Sequence, residues 1–172
     1  MRRTLVPPAA FLARGFTFIE IILVAAVLLL IAVLAFPALQ DIALKKQVKE
    51  GMALAELAKA GVQQAYTLTG EMPADNKVAG VPEATKIVGN VVSAVTVTDG
   101  AITLTYGNNA GKALAGHRLT LLPAVVPDER AVPIAWLCHE VPEPKGMQRK
   151  GRDETDVPPA WLPVECRGAA AK

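Results

Sequence analysis

The sequence predicts an α+β fold in which one long N-terminal α-helix packs on a four-stranded antiparallel sheet. Three observations carry that prediction. Between Phe16 and Leu39 the only charged residue is Glu20. From Asp41 to Tyr66 apolar residues recur at three- and four-residue spacing, as on one face of a helix. Beyond Asn90, short β-branched runs alternate with turn residues, and Asp99-Gly100 separates two of them, the strongest short hairpin signal.

The first fifteen residues, MRRTLVPPAAFLARG, carry Arg2, Arg3 and Arg14 and no acid. A secretory signal places a small-residue cleavage site after its apolar core. Here the longest apolar run instead follows Arg14-Gly15. As a helix, Phe16 to Leu39 reaches roughly 36 Å, enough to cross a hydrocarbon layer of ~30 Å. The arginines before it put the N-terminus in the cytoplasm and the bulk of the chain outside. Glu20 is costly within such a run, on the order of 2.5–3.5 kcal/mol at a helix centre and less near an end. Pro37 removes a helical N–H and collides with the carbonyl of Val33. Taken singly, Glu20 reads as a snorkelling interfacial residue and Pro37 as a helix terminus.

In the second half of the helix Leu44, Val48, Met52, Ala55, Val62 and Ala65 form the inward face, with Lys45, Lys49, Glu56 and Lys59 between them. Glu56 and Lys59 are spaced to pair. Gly51 and Gly61 lower helix propensity but let a sheet approach closely. Gly70 and Pro73 supply stop signals, so the helix runs from about residue 17 to 67 with a bend at Pro37. Residues 69–90, rich in Gly, Pro, Asp and Asn, form a structured loop. Strands are expected at 91–98, 101–106, 118–123 and 133–138.

Cys138 and Cys166 belong to no CxxC and have no histidine at metal spacing, which favours a disulfide over two free buried thiols. Between them lie Lys145, Arg149, Lys150 and Arg152, followed by Asp153, Glu154 and Asp156. This 139–165 loop is either a solvated, self-compensating segment or a surface that touches a neighbouring subunit, a host surface or DNA phosphates.

Composition narrows the function. The 18 Lys and Arg face 16 Asp and Glu, which excludes a strongly basic nucleic-acid binder, and 5% aromatics leave little for base stacking. His117 and His139 fit no HExxH or Cys–His pattern, Ser93 lies in a strand pattern, and no P-loop or GxGxxG is present. The expectation is a chain with no catalytic residue, no cofactor and no metal, and so not an enzyme.

The string GFTFIE at Gly15 to Glu20, followed by the apolar run and Pro37, resembles the type IV pilin signature. The resemblance implies cleavage by a prepilin peptidase between Gly15 and Phe16, N-methylation of Phe16, a register-setting role for Glu20 and a helix kink at Pro37. After cleavage, the Phe16 ammonium of one subunit can meet the Glu20 carboxylate of a neighbour. The flanks of the cysteines, AWLCHE and WLPVECRG, are similar to the type IVa C-terminus, which implies a Cys138–Cys166 bridge. Two departures are the long leader and Leu28-Leu29-Leu30, where many relatives have a glycine.

The implied organisation is a leader at 1–15, a membrane and filament-core helix at 16–40, and a ladle-shaped head at 41–172 closed by the 138–166 loop. Removing residues 1–15 changes the formal charge from +2 to −1, so the basicity belongs to the leader. The implied function is a structural subunit of a type IVa pilus serving adhesion, twitching or DNA uptake, with copies of itself, the peptidase and the inner-membrane assembly platform as partners. The prepilin would sit in the inner membrane of a Gram-negative-type bacterium and the mature subunit in an extracellular filament. The alternatives are a minor or DNA-binding competence pilin, contacting DNA through Lys145, Arg149, Lys150 and Arg152, and a membrane-anchored periplasmic binding domain that never polymerises.

Overall fold

The computed structural model describes residues 15–168, with the side chains of residues 36–38 left aside. The leader, Gly15 excepted, therefore lies outside the described residues. The chain divides into two compact units, residues 1–38 and 39–172. A single helix assignment, α1, covers Phe18–Thr69 and contributes to both.

In the first unit every residue from Gly15 to Ala35 is exposed, including Ile19, Leu23, Leu29 and Leu34. The apolar surface here has no covering among the described residues. In the second unit the same helix hides one stripe: Leu44, Val48, Gly51, Ala55, Ala58, Val62 and Tyr66. The stripe is centred slightly off the expected face. Ala58 and Tyr66 point in, whereas Met52 and Ala65 sit at its margin, half-buried. The Lys59–Glu56 pair forms at 2.7 Å.

Strands β1 (Val92–Thr98), β2 (Ala101–Tyr106), β3 (Arg118–Val125) and β4 (Ala135–Cys138) form an antiparallel sheet in that order. The β1–β2 turn has positive φ at both Asp99 and Gly100, as a two-residue hairpin loop requires. An irregularity in register between Val92 and Ala94 absorbs Ser93, so Val92, Val95 and Val97 all reach the core. Opposite them Ile102, Leu104 and Tyr106 do the same.

Gly51 is a point of close approach between helix and sheet. A Cβ built there would stand 2.5 Å from the Tyr106 ring and 3.0 Å from Val92 Cγ2. Nearby, the Tyr106 hydroxyl donates to the Val48 carbonyl at 2.9 Å. Burial pushes the Tyr106 phenol up from its ordinary pKa, because the phenolate would lose its water.

The sheet also carries a fifth strand, β5 (Gln148–Arg149), pairing with the far end of β3. It lies in the disulfide loop and is additional to the four strands expected from the sequence. The loop covers the face of the sheet opposite α1. Ala101, Leu122, Ala124 and Leu137 form a second small core there, with Ala135, Val141 and Met147 against it. Thr103 and Thr120 meet at 3.1 Å between their hydroxyls on this face. Gly151 lies so close over Ala101 that a Cβ would come within 2.6 Å of the alanine Cβ.

Candidate assembly segment and disulfide-closed loop

The residues singled out in the N-terminal segment come together at the helix start. Thr17 precedes α1, and its carbonyl accepts the first helical bonds, from Glu20 N at 3.1 Å and Ile21 N at 3.2 Å. Its hydroxyl accepts from Glu20 N at 3.3 Å, while Thr17 N donates to Glu20 Oε2 at 3.4 Å. This is a reciprocal capping box of the Thr-x-x-Glu kind, legible in the sequence but absent from the expectations above. Glu20 therefore has a local task that a bare membrane anchor would also need. The carboxylate stabilises the positive end of the helix, where anions are favoured. Gly15, Phe16, Thr17 and Glu20 share the wall of one open cleft, so the peptide bond expected to be cut and the carboxylate lie in one small neighbourhood. The Phe16 side chain continues onto Ile21, Val24, Ala25 and Leu28, an almost wholly apolar surface.

Pro37 falls within α1, and its side chain lies outside the description.

Cys138 and Cys166 are joined, with Cα atoms 5.0 Å apart, and both are buried. The bridge ties the end of β4 to a short 3-10 turn at Val164–Cys166. A second tie reaches from the same C-terminal stretch to α1, where Trp161 Nε1 donates to Asp41 Oδ1 at 3.0 Å.

The loop's polar groups face one another only in part: within it Arg149 lies 3.5 Å from Glu143, and Asp153 lies 3.4 Å from the His139 imidazole. Two of its acids face outward from it: Glu154 faces Arg118 of β3 at 3.1 Å, and Asp156 faces the His117 imidazole just before that strand at 3.3 Å. The segment is also stitched to β3. Thr120 N donates to the Thr155 hydroxyl, and Asp156 N donates to the Arg118 carbonyl, both at 3.0 Å.

Arg149 turns inward. Its guanidinium donates to the His139 and Val141 carbonyls and lies 3.5 Å from Glu143. Lys145, Lys150 and Arg152 are exposed, and among the described residues none has a carboxylate oxygen within 4.0 Å. Lys150 lines a cleft with Tyr66, Glu71 and Asp128. The expected four-residue basic cluster is thus three outward cations and one structural arginine, because the loop needs a donor for its own carbonyls.

The family model for pilin, the bacterial filament protein, matches residues 45–167. Among similar proteins, a type IV major pilin protein PilE of Neisseria gonorrhoeae is 39% identical over 145 residues, covering 84% of this chain and 81% of that one. A fimbrial protein of Neisseria meningitidis serogroup A is 32% identical over 170 residues, covering 93% and 97%. The fimbrial protein EcpC of Eikenella corrodens is 31% identical over 160 residues, covering 91% and 92%. An N-terminal helix bare along its first half, a sheet packed on its second half and a disulfide-closed loop over the outer face accompany these matches, and the chain belongs to the type IV pilin family.

Proposed function

We propose that this chain, a structural subunit of a type IV pilus, polymerises through the first half of α1 once its leader has been removed. The observation that carries this reading is the uninterrupted exposure of residues 15–35. An apolar surface of that length cannot remain in water, and only lipid or other copies of the same helix can cover it. Before assembly the lipid does so, with the N-terminus cytoplasmic and the head outside the inner membrane. In the filament neighbouring helices replace it.

Cleavage between Gly15 and Phe16 by a prepilin peptidase gives Phe16 a free ammonium, which is then methylated. In the apolar filament interior that cation pairs with the Glu20 carboxylate of a neighbour. Each desolvated charge then has a partner, and a wrong register leaves two without one. Pro37 bends the helix between its two halves. The chain performs no catalysis, and the assembly platform does the work of extension.

Mass spectrometry of sheared surface filaments tests the reading. The expected mass begins at Phe16 and carries one added methyl group; a filament fraction without this chain overturns it. Glu20→Ala should abolish filaments while leaving the protein in the membrane, and filaments of normal length and number would remove Glu20 from the assembly step.

A second reading, a DNA-binding competence pilin, is favoured by the outward set Lys145, Lys150 and Arg152, which lacks carboxylate partners among the described residues. Neutralising these three should lower DNA uptake and leave piliation intact. Loss of filaments instead would make the loop a packing surface.

A further inference from the structure

Lysines gather on the first turns of α1 in the second unit. Lys45, Lys46 and Lys49 follow the last residue of the uncharged run by only a few positions. Their side chains lie on the flank and back of the helix relative to its buried stripe, as a 100° step per residue dictates. A fourth lysine joins from the β2–β3 connection. Gly111 N donates to Gln47 Oε1 at 2.8 Å, and Lys112 lines a hollow of about 360 Å³ with Gln40, Ala43, Leu44 and Gln47 on the other flank. Together the four lie along the flanks and back of the helix, away from its buried stripe.

No carboxylate oxygen lies within 4.0 Å of any of them among the described residues. The two nearest acids in sequence are engaged elsewhere. Asp41 accepts from Trp161, and Glu50 accepts from the Asn90 amide at 3.4 Å. Their placement is also unexpected for a chain oriented by charge. Arg2, Arg3 and Arg14 precede the span, and three lysines follow it closely. Cations just outside a span weaken the bias that holds the N-terminus inside. A collar that opposes orientation and has no internal partner calls for an external one.

We propose that Lys45, Lys46, Lys49 and Lys112 form a collar that binds the phosphates of anionic phospholipid headgroups on the outer leaflet of the inner membrane while the subunit awaits assembly. This rests on the membrane-held stage proposed above. Lys45, Lys46 and Lys49 lie roughly 9–15 Å along the helix beyond Leu39, and their flexible stems can reach back toward the interface. Clusters of lysine beside a span are attracted to anionic lipid surfaces, and the attraction falls off within a Debye length. Gln40 and Gln47, in the hollow beside Lys112, add amide donors for a phosphate oxygen. The collar gives the head a salt-sensitive hold on the membrane that extraction must break.

The test uses the mature full chain in phosphatidylcholine nanodiscs, with and without about 30% phosphatidylglycerol, and reads lysine acetylation by mass spectrometry. The four collar lysines should react at least about threefold more slowly in the anionic discs. Lys77 and Lys150, whose neighbours pack beside Gly61 and Tyr66 far along α1, should not change. High salt should erase the difference. Equal rates in both discs overturn the collar while leaving the membrane stage standing. Equal slowing by soluble glycerol phosphate in neutral discs overturns the lipid surface as the source. A chain that fails to enter either disc overturns both the collar and the membrane stage.

Discussion

The two halves of α1 are equally helical and equally dependent on apolar residues, yet only the second closes its own surface. From residue 15 to 35 every side chain is exposed, whereas from Leu44 to Tyr66 a stripe is hidden under the sheet. The composition follows the difference. The first half is apolar on all sides because it has no preferred partner face, the pattern of a helix meant for lipid or for a bundle of copies. The second half alternates small residues, Gly51, Ala55 and Ala58, with Leu44, Val48 and Val62, so that strands can approach it on one side. Hydrophobicity alone does not separate an assembly surface from a core; the presence of a polar back does.

The contrast breaks most readily at Gly51. Gly51→Val places atoms where the Tyr106 ring and Val92 already stand, and should cost about 3 kcal/mol or prevent the head from folding. Leu29→Ala, in the exposed half, should leave thermal unfolding of detergent-solubilised protein within about 0.5 kcal/mol of the wild type. Similar losses for both would mean that the first half also contributes to the folded head.

The disulfide offers the next largest effect. Replacing Cys138 and Cys166 together by serine should lower unfolding stability by roughly 3–4 kcal/mol in the chain-entropy picture. Protease cleavage should then begin in residues 139–157, while the helical signal of the first half is retained. Cleavage starting elsewhere would show that the loop holds to the outer face without its bridge.

A smaller effect sits at Tyr106. Tyr106→Phe removes the hydrogen bond to the Val48 carbonyl and should cost about 1 kcal/mol. It also has a pH signature. Burial raises the folded-state pKa above that of the unfolded chain, near 10, so the unfolded state releases its proton first. Stability is therefore full below about pH 10 and falls as pH rises beyond it. Chemical denaturation across that range should show a shallower decline in the Phe variant than in the wild type.

Much of this architecture was legible before any coordinates. The four principal strands fall within two residues of their expected ends, because β-branched runs and the Asp99-Gly100 turn are local signals. The helix and its closed half were legible for the same reason, with periodicity misplacing only its edge at Met52 and Ala65. The outer face was not. Its small core joins Ala101 and Leu122 to Val141 and Met147 across long stretches of chain, and two apolar residues in a Pro- and Gly-rich loop give no periodic signal. For the same reason the charges misled. In sequence the loop acids stand beside the loop bases, but in space Glu154 and Asp156 face Arg118 and His117 outside the loop, and Asp153 faces His139 at its start. At the N-terminus, Glu20 stood out as a lone charge in an apolar run, and that prominence concealed its ordinary pairing with Thr17.

That pairing bears on timing. Both capping residues lie downstream of the Gly15–Phe16 bond, so the hydrogen bonds that begin α1 owe nothing to the segment expected to be discarded. On the proposed cleavage the product keeps both capping residues, which set the start of α1 at Phe18. The proposed maturation would then change the charge beside a cap that is already made, and a subunit could be stored with that cap in place for as long as the cell delays the cut.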